Sequence, residues 1–241
     1  MESFAVAVNA VMPFLIYISF GYGVRMSGLV DEDFMNKLNK LIFRAFFPIL
    51  MFNNLYKMEP GSTLDGKLAA VGIASILLLE VLLVLIVPKL VKNVVTNPLI
   101  MGAVTGLVFF LLGIHLPSCV NETVSQFAGL TTPLALFVLG GTLHFSAVKG
   151  NLKYLVPSLT VKMIVLPAII TVAATAMGFG SLERFVLFTM YATPVATASY
   201  SMAQNMGGDG ELAGQFVVVS TAASIVTIFL WVLLFKSMGM I

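Results

Sequence analysis

The sequence predicts an all-α polytopic membrane protein with about eight transmembrane helices. Of its 241 residues, 59% are hydrophobic and 10% are charged, and the mean hydropathy is +1.02. Soluble domains usually carry about 25% charged residues. The apolar residues also fall into runs close to the roughly 20 residues that a helix needs to cross a bilayer. Together these observations exclude an ordinary soluble domain.

Eight apolar runs are predicted to form the spanning helices. They are 4–26, 36–57, 67–88, 97–115, 123–145, 154–178, 183–206 and 213–236. The loops between them are short and carry most of the charges. No stretch is long enough for a separate soluble domain, so we expect a multi-pass integral membrane protein without one.

The Lys and Arg residues predict the orientation, because cytoplasmic loops are enriched in them. Eight of them belong to the odd-numbered loops and their flanking helix ends, against four on the other side. The eight are Arg25, Lys37, Lys40, Arg44, Lys89, Lys92, Lys149 and Lys153. We therefore expect the odd-numbered loops to be cytoplasmic and both termini to lie outside an inner or plasma membrane.

The residue inventory favours neither catalysis nor metal binding. Cys119, His115 and His144 are too few and too scattered for a zinc site. No H-E-x-x-H, Walker or G-x-S-x-G pattern is present, and every Asp lies in a predicted loop. The net charge is only +2, without a basic block. We expect no enzyme, no cofactor, no metal and no nucleic-acid partner.

A shift of 85 residues aligns prolines, a glycine and a phenylalanine in two parts of the chain. It superposes Pro13 on Pro98, Gly28 on Gly113, Pro48 on Pro133 and Phe52 on Phe137. Three predicted helices separate the two copies, so the second copy would enter the membrane from the opposite side, as in inverted-repeat transporters. This predicts a shortened three-helix repeat, 1–96, and a five-helix repeat, 97–241. Chance similarity between apolar segments is the alternative.

Four segments resemble the auxin efflux carrier family, which includes PIN-like carriers and malonate-type permeases. They are FRAFFPILMFNNL (43–55), VTNPLIMGAVTGLVFFLLGIHLP (95–117), TTPLALFVLGGTL (131–143) and YATPVATASYSMAQNMGGDGELAGQFVVVSTAASIV (191–226). The resemblance implies ten helices in two inverted repeats of five. The fourth helix of each repeat is broken, and a small organic anion binds where the two broken helices cross. This chain is an incomplete version, because two helices of the first repeat are absent.

The stretch 191–204 is the predicted substrate site. From Ala192 to Ala203, eight of twelve residues are Ala, Ser or Thr, and Pro194 removes a helical hydrogen bond. Broken backbone at membrane depth survives only inside protein or beside water, where helix ends can bind ions. The predicted substrate-binding residues here are Thr193, Pro194, Thr197, Ser199, Ser201 and Gln204. A tightly packed, proline-kinked helix without a ligand is the alternative.

Four further residues complete the predicted site. Asn53 and Asn54 follow the shared Pro-x-x-x-Phe pattern and are predicted to line it, with an ordinary helix end as the alternative. Glu80 and Lys162 are predicted to carry charge within the bilayer, where ionisable groups are expensive and usually functional. They could pair with each other, or Lys162 could neutralise the substrate. The alternatives are a snorkelling Lys162 and a Glu80 that is an accident of the repeat junction.

The predicted function is secondary active transport of a small organic anion such as a carboxylate. We expect the lipid bilayer and this anion as partners, with coupling to protons or to the membrane potential. A homodimer is one way to complete a shortened repeat. The alternative is a transport-deficient paralogue, or a membrane scaffold or binding subunit built on the carrier fold.

Overall fold

The computed structural model describes residues 2–58, 71, 72, 74, 75 and 97–239. Within these ranges all regular structure is helical. Glu80 and most of the predicted third helix, 67–88, lie outside the described residues.

In these ranges the chain forms ten α-helices and two π-helical turns. The α-helices are α1 (Glu2–Met26), α2 (Glu32–Leu41), α3 (Phe47–Tyr56), α4 (Pro98–Leu111), α5 (Ser118–Thr142), α6 (Phe145–Thr160), α7 (Leu166–Ala176), α8 (Ser181–Ala192), α9 (Thr197–Asn205) and α10 (Gly210–Ser237). The first π turn, Ile42–Phe46, joins α2 to α3, and the second, Val161–Val165, joins α6 to α7.

Two sequence-based boundaries need correction. The predicted helix 154–178 begins at Phe145 instead, nine residues earlier, and runs through the second π turn to Ala176. The predicted helix 183–206 is two helices, α8 and α9, separated by residues 193–196. Three helices of the described chain are long and apolar enough to span a membrane: Ser118–Thr142, Ala147–Ala176 and Gly210–Ser237.

Proline explains the two π turns. Pro48 and Pro167 lie at the second position of α3 and α7, directly after the turns. Proline has no N–H, and its ring displaces the carbonyl four residues earlier. The residue before each proline instead donates to a carbonyl five residues back, from Phe47 to Ile42 and from Leu166 to Val161. The helix therefore widens by one residue and continues.

The chain divides into two compact units. The larger unit comprises Met1–Asn39 and Pro133–Ile241, and the smaller unit comprises Lys40–Thr132. In the larger unit, α1 packs against α10 and against the second half of α5. An aromatic cluster of Phe188, Trp231 and Phe235 joins α8 to α10, with the Phe188 and Phe235 ring centroids 4.7 Å apart.

Close helix contacts in both units depend on glycine. In the larger unit, a Cβ at Gly21 would overlap the backbone of Phe137. In the smaller unit, a Cβ at Gly106 would overlap the backbone of Phe52. Small residues let membrane helices approach until their backbones touch, which replaces the hydrophobic drive that lipid does not supply.

The same 85-residue shift relates these two contacts. Gly21 plus 85 gives Gly106, and Phe137 minus 85 gives Phe52, so the two pairs exchange under the shift. Within the smaller unit, the Thr131 hydroxyl donates to the carbonyl of Phe46 at 3.2 Å, across a separation of 85 residues. The shift found in the sequence therefore recurs in close contacts with the backbone. The domain boundaries 1–96 and 97–241 stay a prediction.

Candidate functional site

The larger unit contains a helix break where the sequence placed the substrate site. Helix α8 ends at Ala192, and Thr193 is extended, with ψ 147°. Helix α9 begins at Thr197 after an extended Ala196, with ψ 140°. The cause is Pro194, which disfavours the helical conformation of the residue before it and cannot donate to a helical carbonyl.

Two side chains from other helices bind the backbone freed by the break. The Lys162 ammonium donates to the carbonyl oxygens of Tyr191, at 2.6 Å, and Thr193, at 3.1 Å. The N–H of Val195 donates to the Ser220 hydroxyl oxygen, from α10, at 3.0 Å. Backbone polar groups in a membrane need such partners, because lipid offers none. The break is thus a defined backbone conformation whose polar groups are hydrogen-bonded by side chains, and it is not a frayed helix end.

Lys162 lies farther from the start of its helix than the sequence suggested. The corrected helix start makes it the sixteenth of the 30 residues of the span Ala147–Ala176. That is roughly 20 Å from either end of the helix at 1.5 Å per residue. Snorkelling to the membrane surface stays the alternative prediction for this side chain. Pairing with Glu80 falls outside the described residues.

The second π turn is bound on two sides. Pro167 leaves the carbonyl of Met163, four residues earlier, without its helical donor. The indole N–H of Trp231 in α10 donates to this carbonyl at 3.1 Å. Lys162, the neighbouring residue, donates to a carbonyl at the end of α8. One widened turn therefore connects α7 to both α8 and α10.

Two polar side chains of helix α9 form hydrogen bonds with α2. The Ser201 hydroxyl donates to Asn39 Oδ1 at 2.6 Å, and both residues are fully buried. One turn further along α9, Gln204 Nε2 donates to Asn36 Oδ1 at 3.2 Å. Ser201 and Gln204 were predicted as substrate ligands, and in the structure each is hydrogen-bonded to an asparagine of α2. Asn39 Nδ2 is buried without a hydrogen-bond partner among the described residues.

The remaining predicted ligands are more open. Thr193 and Ser199 are exposed, and Pro194 and Thr197 are half-buried. No side chain caps the N-terminus of α9 among the described residues, and within its first turn the Ser199 N–H donates to the Ala196 carbonyl at 3.0 Å. The open part of the site therefore combines hydroxyl groups, helix-end amides and a nearby ammonium.

Asn53 and Asn54 belong to the smaller unit, whereas the other described candidates belong to the larger one. Asn53 Oδ1 accepts a hydrogen bond from Ser125 at 3.3 Å, and Lys57 donates to the same Ser125 at 2.6 Å. Asn54 is exposed. Both asparagines lie in the last turn of α3, which ends at Tyr56, so they fit the helix-end alternative as well as a ligand role.

Sequence reasoning missed three residues at the site: Ser220, Asn39 and Trp231. Ser220 and Asn39 are polar residues within predicted apolar spans, a signal that generally marks helix–helix hydrogen bonding. That signal was present but gave no partner. Trp231 carried no signal beyond its apolar helix, because its role depends on a carbonyl 68 residues earlier in the chain.

Comparison with known proteins decides the family. The sequence profile of the family described as "membrane transport protein" matches residues 77–232. The chain belongs to this family, that of the PIN-like auxin efflux carriers. No curated protein matches the chain. The match includes the break, Lys162, Ser220 and Trp231, and together with the apolar helices it identifies an integral membrane protein of a transport family.

Proposed function

We propose that the protein is a secondary active carrier that moves a small organic anion, such as a carboxylate, across the membrane. The observation that carries the proposal is the break at 193–196, with the Lys162 ammonium bound to the end of α8. An anion at this break would meet positive charge, hydroxyl groups and the uncapped amides of α9. Coupling would come from protons or from the membrane potential.

The proposed setting is a multi-pass protein of the inner or plasma membrane with both termini outside. The pair of contacts related by the 85-residue shift supports two inverted repeats, which is the architecture that alternating access uses. A homodimer is proposed as the means of completing a carrier whose first repeat is short. We propose Thr193, Thr197 and Ser199 as the substrate contacts, with Lys162 as the charge.

The alternative is a transport-deficient paralogue or a membrane scaffold. One observation favours it: Ser201 and Gln204, on the helix that follows the break, bind Asn39 and Asn36 of α2. Their side chains then serve to hold α9 against α2. A scaffold would use the same contacts to fix α9 in place and would bind no anion at the break.

Flux in proteoliposomes distinguishes the two. We expect the purified protein to take up at least one of labelled indole-acetate, malonate and malate when a proton gradient or a potassium diffusion potential is imposed. Protein-free liposomes are one control. A Pro194→Ala variant is the second, because restoring helical backbone would close the break and reduce uptake. Absence of gradient-dependent uptake for every carboxylate would contradict transport and leave the scaffold.

A further inference from the structure

Lys162 is a charged residue near the middle of its span. In the three candidate spans of the described chain, it is the one charged residue in the middle third of any span. The side chains predicted as substrate contacts, Thr193, Thr197 and Ser199, are neutral hydroxyls. Ser220, which binds the break from the other side, is neutral as well. Among the described residues, this ammonium is therefore the charge that a ligand at the break would meet.

The two helix ends at the break cancel each other. A helix C-terminus carries about −0.5 of an elementary charge and an N-terminus about +0.5. Helix α8 contributes the first at Ala192, and α9 contributes the second at Thr197. What remains is the charge of Lys162, about +1. The carbonyls of Tyr191 and Thr193 hold this charge in place and take two of its three N–H donors.

We propose, on the basis of the proposed function, that Lys162 selects substrates by charge, so that the carrier moves monocarboxylates and discriminates against dicarboxylates of the same shape. A monoanion makes the loaded site neutral. A dianion leaves one uncompensated negative charge within the membrane, and net charge there is costly. Selectivity then comes from rejection of the second carboxylate, because the described side chains at the break offer it no second cation.

A matched pair of ligands tests this rule directly. Malonate and its half-amide, malonamate, have almost the same size and shape but differ by one charge when every carboxyl group is ionised. We expect proteoliposome uptake of labelled malonamate to exceed that of malonate by at least about tenfold under the same gradient. Malonate moved as fast as malonamate, or faster, overturns the proposal.

The variant Lys162→Gln supplies the second arm, because glutamine keeps N–H donors but carries no charge. We expect malonamate uptake to fall and the preference for malonamate over malonate to shrink to less than about threefold. Lys153→Gln is the matched control, since Lys153 is exposed near the start of the same helix, and it should keep the wild-type preference. A Lys162→Gln variant that keeps the full preference contradicts the assignment.

A binding measurement tests the charge selectivity independently of transport. The melting temperature of the purified protein should rise with malonamate and much less with malonate, even for a variant or preparation that moves neither. If uptake occurs but the preference is absent, the charge rule fails and the carrier function stands. If neither ligand raises the melting temperature, the charge rule fails at the level of binding.

Discussion

The two units use the same glycine contact but surround their π turns differently. Gly21 lies on Phe137 in the larger unit, and Gly106 lies on Phe52 in the smaller one. Each unit also has a π turn with a basic residue before a proline. The difference lies in the partners of that residue.

In the larger unit, Lys162 binds the end of a broken helix. In the smaller unit, Arg44 has an exposed side chain. The two units thus share their packing, while the described features that suit an anion belong to the larger one. If the repeat is real, shared packing is what a duplicated helix pair would retain, because backbone contact tolerates no Cβ. The site chemistry needs only a few side chains and is free to differ.

The largest effect is expected from exchanging the two basic residues for methionine. Lys162→Met removes the donor to two carbonyls of the break, and leaving such groups unpaired costs about 1–3 kcal/mol each. Carboxylate uptake should fall at least about tenfold. Arg44→Met should leave uptake and melting temperature close to wild type. Equal losses in the two variants would show that the π turns, and not their surroundings, determine function.

The glycine contacts should give the next largest effect, and an equal one in both units. Gly21→Ala and Gly106→Ala each force a methyl group against backbone, and overpacking of this kind costs about 1–3 kcal/mol. Gly23→Ala and Gly129→Ala are the controls, because a Cβ at either position meets no other atom within 4 Å. Melting temperatures in detergent measure the effect. If the melting temperature drops for only one of the two glycine variants, the two glycine contacts are not equivalent.

A smaller effect is expected at Ser220, which supports the break from α10. Ser220→Ala leaves the Val195 N–H without its acceptor, at a cost of about 1 kcal/mol. Because Val195 lies two residues before α9, uptake should also decrease. Ser224→Ala is a matched control, since Ser224 is buried one turn further on and donates within α10 itself. If both substitutions reduce uptake equally, the bond to Val195 has no special role.

The smallest effect is expected at the hydrogen bond between residues 85 apart. Thr131→Val keeps the shape of the side chain and removes its bond to the Phe46 carbonyl. Hydrogen bonds between membrane helices average about 0.6 kcal/mol, so the melting temperature should decrease only slightly. Thr105→Val is the control, because its hydroxyl bonds only within α4. A large loss would mean that this pair does more than join two helices.

Local features of the sequence predicted the break well. Pro194 and the small residues around it have a backbone consequence that needs no knowledge of neighbours, and the helix does stop at Ala192. The position of Lys162 along its helix was misjudged because residues 145–153 are polar enough to be taken for a loop. A helical turn at a membrane surface has no apolar signal, so its start was placed nine residues late.

Long-range partners were beyond the sequence. Ser201 and Asn39 are 162 residues apart in the chain, and no local pattern links them. The same holds for Lys162 and the carbonyls of α8, because a backbone acceptor leaves no trace in residue identity. The 85-residue shift is the exception, since the matched residues were visible in the sequence and the glycine contacts follow the same shift.

Protection of a cysteine at the break tests the central claim, that the anion binds there. Cys119 is the one cysteine in the sequence, so Cys119→Ser gives a background in which Ser199→Cys introduces a unique thiol at an exposed position. A maleimide should label this thiol several-fold more slowly when malonamate is present, and the same ligand should not protect Ser237→Cys at the far end of α10. Equal labelling of Ser199→Cys with and without malonamate, in protein that transports malonamate, would contradict the account.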